Sequence, residues 1–522
     1  MMPDPRRLTL PFLLAGLVLC GPAAGQESTP ASPAEEGAGQ RAESAEAIRG
    51  IDMQRLQREQ AYAEQMLVHI ERLRAEAITE NRQEAVDRLD YLRLFALPTA
   101  TRMADARAAI QVIIERRPTR AGPYIAAWYS SLRVGDHELT IGVAETAARS
   151  LRGGEWPELR RFLEEQSVWA AFRSFDNDRR KRARLADALL SIGWPNDRQR
   201  APADALRLMM VEDRLAANDV AGASGYARLI ISPDTLLRMS VLRRYDALFA
   251  GEEDRVRRFR GALEEYDRET AQALAAAPQD HRVVLDRAQF LRGIGREAEA
   301  LAVLAPFTRD VAATVAASDN GMWLVNEAGY SLMELNRDDE AIALFRRLSD
   351  LPIADSPGLV GPAINHGVVL FEAGRYTDAL AYARQLEQGA VAQYANDFGK
   401  LWVASTIVCS LARLDRAAEA GPWLTRLREG VETNGGALTR ALLCLDSLDE
   451  AETVVIRRLR AEDPEIVLLG LQDYQLRSAR QPQTALDARR AALRQRPAVR
   501  AAAERVGHLL SLPIAQTYWG RS

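Results

Sequence analysis

Two stretches decide the fold: Asn326–Leu348 (NEAGYSLMELNRDDEAIALFRRL) and Ile364–Leu386 (INHGVVLFEAGRYTDALAYARQL). Each has apolar residues at helical spacing on both sides of a short polar turn. This pattern predicts a helix, a tight turn and a second helix packed back on the first. In each copy a glycine, Gly329 or Gly367, precedes an alanine by twelve residues. Small side chains there let two antiparallel helices cross closely, so the unit is a helical hairpin.

The turn residue of this hairpin recurs along the chain. Gly295, Asn336, Gly374 and Asp415 each precede an alanine by five residues, at intervals of 38 to 41 residues. Gly, Asn and Asp tolerate the left-handed backbone that a tight turn between helices requires. Further turn marks continue the series at Gly135, Gly193, Asn218, Gly251, Ser447 and Arg480. A single hairpin cannot bury its apolar face alone, so a stacked array is expected.

The composition agrees with an all-α chain. With 522 residues, several domains or one long array are expected rather than one compact domain. Ala, Leu, Arg and Glu dominate, and no sustained alternation of apolar and polar residues predicts a strand. The net charge of −4 gives no strong attraction to nucleic acid or to an anionic membrane.

The hairpins resemble tetratricopeptide repeats (TPRs). The segments Asn336–Phe345 (NRDDEAIALF) and Gly374–Ala383 (GRYTDALAYA) match the consensus of that family, and the match extends over Ala288–Leu427 and, less closely, Leu206–Ile230. The resemblance implies a right-handed superhelical solenoid whose first helices line a concave face. It also implies a scaffold that binds peptides or protein partners there.

The N-terminal segment is typical of an export signal. The Arg6-Arg7 pair precedes the apolar run Leu8–Leu19, which is too short to span a bilayer but suits a secretory signal. Small residues at Ala23–Gly25 offer a cleavage site. The stretch Leu17–Cys20 also resembles a bacterial lipoprotein box, so a lipid anchor at Cys20 is the alternative. We therefore expect a periplasmic or secreted protein with residues 1–25 as its signal peptide.

Composition and repeat strength divide the remaining chain. Residues 26–47 are rich in Ser, Pro, Ala, Gly and Glu, which predicts a disordered linker. Divergent helical hairpins are expected in 48–205, TPR-like repeats in 206–430, and C-terminal helical repeats with a capping tail in 431–522. In that tail, Tyr518 and Trp519 either cap the last apolar face or form a docking peptide.

The mature chain has two cysteines, Cys409 and Cys444, on the predicted first helices of neighbouring hairpins. A disulfide between them is geometrically conceivable in an oxidising compartment. Two buried and unpaired cysteines are nevertheless the expectation.

The sequence offers no catalytic constellation. None of the five histidines lies in an HExxH motif or in a Cys/His cluster with zinc spacing. Gly293–Ala298 has the GxGxxA spacing of a dinucleotide site, but a helical pattern precedes it and Gly295 serves as a repeat turn. We predict a protein that is not an enzyme and that uses no metal or cofactor.

The repeat register instead selects candidate residues on the concave face. Trp323 and Trp402 occupy equivalent positions 79 residues apart, with Gly361 between them. Aromatic, Arg and Asn side chains in a groove suit peptide recognition, although the tryptophans could instead seal the packing between repeats. The candidate partner-binding residues are Arg282, Gln289, Arg292, Trp323, Asn326, Tyr330, Met333, Phe371, Glu372, Trp402, Ser405 and Arg413.

The predicted function is a non-catalytic exported scaffold for protein or peptide partners in a cell-envelope or polysaccharide-export assembly. No nucleic-acid partner and no membrane span in the mature chain are expected. Two alternatives stay open: a polysaccharide-binding solenoid, and a superhelical enzyme that acts on peptidoglycan.

Overall fold

The computed structural model describes residues 51–175, 178–195, 200–461, 464–476 and 485–515. These residues form two compact units, 51–229 and 230–515. The predicted signal peptide and linker, Cys20, Tyr518 and Trp519 lie outside the described residues. The division after Leu229 follows packing, whereas the sequence boundaries at 205 and 430 followed the strength of the repeat signal and stay predictions.

The first unit consists of helices packed on one another in sequence order. Its helices are α1 (Met53–Arg58), α2 (Gln60–Thr79), α3 (Gln83–Thr99), α4 (Met103–Arg116), α5 (Ala121–Val134), α6 (His137–Ser150), α7 (Trp156–Phe162), α8 (Glu165–Arg173), α9 (Arg179–Ser191), α10 (Arg200–Ala216) and α11 (Val220–Ala227). Consecutive pairs such as α2 and α3 pack together, and α3 then packs on α5. Trp128, Tyr124 and Phe175 are among the largest side chains in its core.

The second unit repeats the hairpin more regularly. Its helices are α12 (Pro233–Val241), α13 (Glu252–Ala276), α14 (His281–Gly293), α15 (Glu297–Thr308), α16 (Val311–Ala317), α17 (Gly321–Glu334), α18 (Asp338–Ser349), α19 (Val360–Glu372), α20 (Tyr376–Gln388), α21 (Ala390–Tyr394), α22 (Asp397–Arg413), α23 (Gly421–Glu429), α24 (Val431–Cys444), α25 (Leu448–Leu459), α26 (Glu465–Gly470), α27 (Ala485–Gln495) and α28 (Pro497–Val506). Short 3₁₀ helices occur at Arg243–Leu248, Pro357–Leu359 and Ala417–Ala420.

The predicted turns have the backbone that the sequence required. The φ angles of Asn336 and Asp415 are 59° and 56°, and those of Gly295 and Gly374 are 75° and 76°. Downstream, the left-handed residue is Asp446, with φ 60°, rather than the neighbouring serine. This places the turn five residues before an alanine again. The predicted all-α, TPR-like stack of helical hairpins is confirmed.

In the first hairpin, the two helices cross as closely as the sequence predicts. A Cβ atom on Gly329 would overlap the ring of Phe345 on α18, so this crossing needs a glycine. At Gly367 a Cβ atom would lie 3.6 Å from Tyr382, which is ordinary van der Waals contact. The two glycines that looked equivalent in sequence are therefore under different steric constraints.

Two short strands at the C-terminal end depart from the helical pattern. They are β1 (Asp473–Leu476) and β2 (Ser511–Ala515), which pair in parallel. The buried side-chain amide of Gln472 joins them, since its Nε2 donates to the His508 carbonyl (3.1 Å) and its Oε1 accepts from the Leu510 amide (2.8 Å). Strands of four and five residues are too short to give a recognisable alternation in the sequence.

The expectation of unpaired cysteines is wrong. Cys409 on α22 and Cys444 on α24 form a disulfide, with their Cα atoms 5.1 Å apart. Neighbouring first helices pack side by side, and this packing brings the two positions within bonding reach. The sequence spacing alone did not reveal which turn of each helix faces the other.

The second unit closes on itself. The Leu242 and Gly507 backbones form an antiparallel bridge, and the His508 amide donates to the Val241 carbonyl (2.8 Å). Around this bridge, Arg238 pairs with Glu465 (2.6 Å). Strand β2 also contacts α13 and α14. The first and last elements of the unit therefore meet, which we call the ring joint (residues 238–255 against 465–511).

Candidate partner-binding face

The first helices of successive hairpins lie side by side in the second unit. They are α14, α17, α19, α22 and α24, and each packs on the next. We call their common surface the first-helix face. It carries every candidate residue that the repeat register selected.

One row on this face is open to solvent. Arg282, Trp323, Gly361 and Trp402 each precede the turn residue of their hairpin by thirteen positions, and we call them the tryptophan row. Trp323 keeps 38% of its surface exposed, Arg282 is exposed, and Trp402 is half-buried. The Trp323 ring lies over Gly361, where a Cβ atom would be 3.1 Å from ring atom Cη2. Trp323 therefore both packs on the next repeat and presents a ring edge to solvent.

Nearer the C-terminal ends of the same helices, the face is buried and charged. Arg292 is 7% exposed, and its Nε donates to Glu327 Oε1. Its Nη1 lies 3.8 Å from Glu334 Oε1. Burial lowers the pKa of Arg292, but the carboxylates of Glu327 and Glu334 more than offset this and hold the pKa above its ordinary value. Arg292 thus stays charged inside the protein.

The neighbouring polar contacts continue this layer across the helices. The Nδ2 of Asn365 on α19 donates to Oδ1 of the buried Asn326 on α17 (2.8 Å). Tyr330 lies beneath the Arg292 guanidinium, 5.4 Å from its ring centroid. Burial raises the pKa of Tyr330 well above its ordinary value, so the phenol stays protonated.

A second buried arginine connects helices that are not adjacent. Arg440 on α24 is 4% exposed, and its Nη2 donates to Oε1 of Glu372 on α19 (3.4 Å). Its guanidinium carbon lies 4.8 Å from the Phe371 ring centroid, and its Nη1 donates to Thr406 on α22 (3.4 Å). The first helices therefore converge at this end. We call Arg292, Asn326, Glu327, Glu334, Asn365, Glu372 and Arg440 the buried polar layer, in which Asn365 and Glu372 are half-buried and the others are buried.

The structure separates the candidate residues by depth. Arg292, Asn326, Tyr330, Met333, Phe371 and Ser405 are buried. Glu372, Trp402 and Arg413 are half-buried, whereas Arg282, Gln289 and Trp323 are exposed. Their role as partner contacts stays a prediction for all twelve. In the closed unit only the exposed and half-buried ones are accessible to a partner.

Four members of the buried polar layer were not among the candidates: Glu327, Glu334, Asn365 and Arg440. Their signal in the sequence was charged or amide side chains seven residues, or two helical turns, apart: Glu327 with Glu334, and Asn365 with Glu372. Charged residues are almost never fully buried unless they are paired, so a surface position was the ordinary interpretation.

Within the described residues, no group of three or more His, Cys, Asp or Glu side chains could hold a metal ion. Among the same residues, no single helix is long and apolar enough to cross a membrane. The sharply bent pair of α15 and α16 reaches that length and apolar content only when the two helices are counted together.

No protein-family model matches the sequence, and no curated protein matches it. Solved structures of low similarity do match. The apo form of the quorum sensor NprR from B. thuringiensis is 11% identical, with a TM-score of 0.31 over 71% of this chain and 97% of that chain. The APC/C hetero-tetramer Cut9-Hcn1 is 10% identical, with a TM-score of 0.27 over 84% of this chain and 95% of that chain. A circular tandem repeat protein with novel repeat topology is 12% identical, with a TM-score of 0.13 over 85% of this chain and 98% of that chain. At these values the similarity carries no argument about function.

Proposed function

We propose that this chain is an exported, non-catalytic scaffold that binds a protein or peptide partner at the tryptophan row. The observation that carries the proposal is the exposed Trp323 ring, fixed over Gly361 on a rigid helical array. Tryptophan and arginine dominate the binding energy of protein interfaces, and a side chain that is already held in place loses little entropy on binding. Arg282 holds the equivalent position on the preceding first helix, α14, and Trp402 holds it two first helices further on, on α22.

The disulfide supports the exported part of the proposal. Structural disulfides form and persist in oxidising compartments and are rare where thiols are kept reduced. Cys409 and Cys444 are 0% and 5% exposed, which is typical of a structural pair and not of a redox-active one. We place the scaffold in the cell envelope, within an assembly such as a polysaccharide exporter.

The experiment is photo-crosslinking in cells from position 289. Gln289 is exposed on α14, one helix away from Trp323, so a crosslinking residue there leaves the tryptophan row intact. A discrete envelope protein captured from this position, and lost on Trp323→Ala, is the expected result. The matched control is Val68 on α2, which is 74% exposed in the other unit and should capture nothing specific.

Two outcomes would contradict the proposal. Capture of glycan alone would favour the polysaccharide-binding solenoid, since an exposed indole ring also suits stacking on a sugar ring. Capture of the same proteins from positions 289 and 68, insensitive to Trp323→Ala, would show that the tryptophan row is not a docking surface.

A further inference from the structure

Exposed carboxylates lie at the N-terminal ends of the first helices, close to the tryptophan row. Asp280, Asp319, Asp355 and Asp397 each precede the tryptophan-row residue of their own hairpin by two to six residues, and all four are exposed. We call them the acidic row. Two to six residues of helix correspond to about 3–9 Å, which is comparable with the Debye length of about 8 Å at physiological salt. A ligand on the tryptophan row therefore lies within the field of these carboxylates.

Two of the four carboxylates serve the fold and two do not. Asp280 caps α14 through a hydrogen bond from a backbone amide (2.9 Å), and Asp397 Oδ1 lies 3.3 Å from Lys400 Nζ. Within the described residues, the side chains of Asp319 and Asp355 form no hydrogen bond and no ion pair. Their charges are therefore available to a ligand.

Trp323 is the residue of the tryptophan row that these two carboxylates flank. Asp319 precedes it in its own hairpin, and Asp355 precedes Gly361, over which the Trp323 ring lies. Residues 319–323 and 355–361 contain neither Lys nor Arg, so no cation in these stretches offsets the two charges. The face of an indole ring attracts a cation, and neighbouring carboxylates add to that attraction.

Aromatic rings next to a carboxylate occur again on α22. Phe398 is 49% exposed and Trp402 is half-buried, and residues four apart on a helix lie on the same side of it. Asp397 directly precedes Phe398. Lys and Arg side chains suit such a surface, because their aliphatic stems pack on aromatic rings while their charged ends stay in water beside carboxylates.

The opposite edge of the same hairpins has a different arrangement of charge. Arg296, Arg337 and Arg416 directly follow the left-handed turn residues, and each pairs with the glutamate three residues further on, at 2.5 to 2.7 Å. Positive and negative charges therefore offset one another at the turns. The unpaired carboxylates Asp319 and Asp355 lie at the other edge, where the tryptophan row is.

We propose that the segment bound at the tryptophan row is cationic: an extended peptide rich in Lys or Arg, whose side chains pack on Trp323 and pair with Asp319 and Asp355. Neighbouring helices pack about 10 Å apart and an extended chain rises about 3.3 Å per residue, so a basic residue at about every third position fits the acidic row. An acidic polysaccharide is repelled from the same surface. This inference rests on the proposed scaffold function and names the class of partner for that site.

The test is selection from a random peptide library displayed on phage, with the full chain as the target. Peptides are selected on wild type and counter-selected on Trp323→Ala, so the enriched set depends on the tryptophan row. We expect the enriched peptides to have a mean net charge of about +2 or more. A labelled peptide from this set should bind about fivefold or more weakly to the double variant Asp319→Asn with Asp355→Asn, and its affinity for wild type should fall as salt rises.

The matched control is Asp378→Asn with Glu253→Gln, which also removes two exposed carboxylates. Both residues lie in the first turns of their helices, α20 and α13, at the ends remote from the acidic row. This variant should bind the peptide as wild type does. Circular dichroism should be unchanged in both double variants, because Asp319 and Asp355 make no contact that stabilises the fold.

The outcomes separate this inference from the proposed function. Trp323-dependent peptides that are neutral or acidic on average would overturn the inference and leave the docking site standing. Equal affinity of an enriched peptide for wild type and for Asp319→Asn with Asp355→Asn would overturn it in the same way. If no enriched peptide depends on Trp323, the docking site itself is refuted, and the inference with it.

Discussion

Removing the disulfide should destabilise the second unit strongly. Cys409 and Cys444 are 35 residues apart, and a cross-link that closes a loop of this length removes conformational entropy from the unfolded chain. The loop-entropy relation gives about 4 kcal/mol at 25 °C. The variant Cys409→Ala with Cys444→Ala should therefore lose about 3–4 kcal/mol of the free energy of unfolding, within the range of about 2–5 kcal/mol that removal of a native disulfide typically costs.

The assay is urea unfolding followed by hydrogen-exchange labelling and mass spectrometry of the peptides around Cys409 and Cys444, because the chain has eight tryptophans and its intrinsic fluorescence would report both units. The two units can unfold in separate steps, so the comparison applies to the transition that these second-unit peptides report. Wild-type protein should become as unstable as the variant in the presence of a reductant, and the variant should not respond to it.

Two results would refute the reasoning. If wild type and variant unfold at the same urea concentration under oxidising conditions, the loop argument fails. If mass spectrometry finds free thiols at both positions in protein taken from its native compartment, the disulfide is absent and so is its support for export.

Three further predictions concern packing and charge. Gly329→Ala should destabilise the fold by about 1–3 kcal/mol through overpacking, whereas Gly367→Ala should be neutral or stabilise it by up to about 1 kcal/mol. The measurement is the urea concentration at the unfolding midpoint of each variant. Burial lowers the pKa of His366 to about 4, below its ordinary value, so the folded protein resists protonation of this residue. The free energy of unfolding should therefore decline as the pH falls from 6.5 to 4, by about 3 kcal/mol over the whole range. The melting temperature should fall with it in wild type and should fall less in His366→Gln. Arg440→Ala should lower the free energy of unfolding by about 3 kcal/mol, because it leaves the Glu372 carboxylate without its guanidinium partner. The double variant Arg440→Met with Glu372→Leu removes both charges and should lower it by less in the same urea titration.

The hairpins could be predicted from the sequence because their determinants are local. The positive φ at Asn336 and Asp415 follows from residues that tolerate that backbone within a five-residue window. The alternation of first and second helices follows from apolar spacing over about twenty residues. These local patterns can be recognised in the sequence without knowing which distant residues are in contact.

The remaining features depend on contacts between distant parts of the chain. The ring joint brings His508 to Asp246 across 262 residues, and no local pattern encodes that meeting. The depth of the first-helix face had the same cause: the repeat register placed Tyr330 on that face, but contacts with the neighbouring helices decided that it is buried. Arg440, which the register did not select, is buried on the same face. Trp323 keeps 38% of its surface exposed even though its ring packs on Gly361 of the next first helix.

The central claim is that a partner docks on the tryptophan row. The most direct measurement is the affinity of the purified partner captured from position 289 for wild type, Trp323→Ala and the control Val68→Ala. The account predicts at least about tenfold weaker binding by Trp323→Ala, because a tryptophan anchor contributes about 2 kcal/mol or more, and unchanged binding by Val68→Ala. Equal affinity of all three proteins would contradict it.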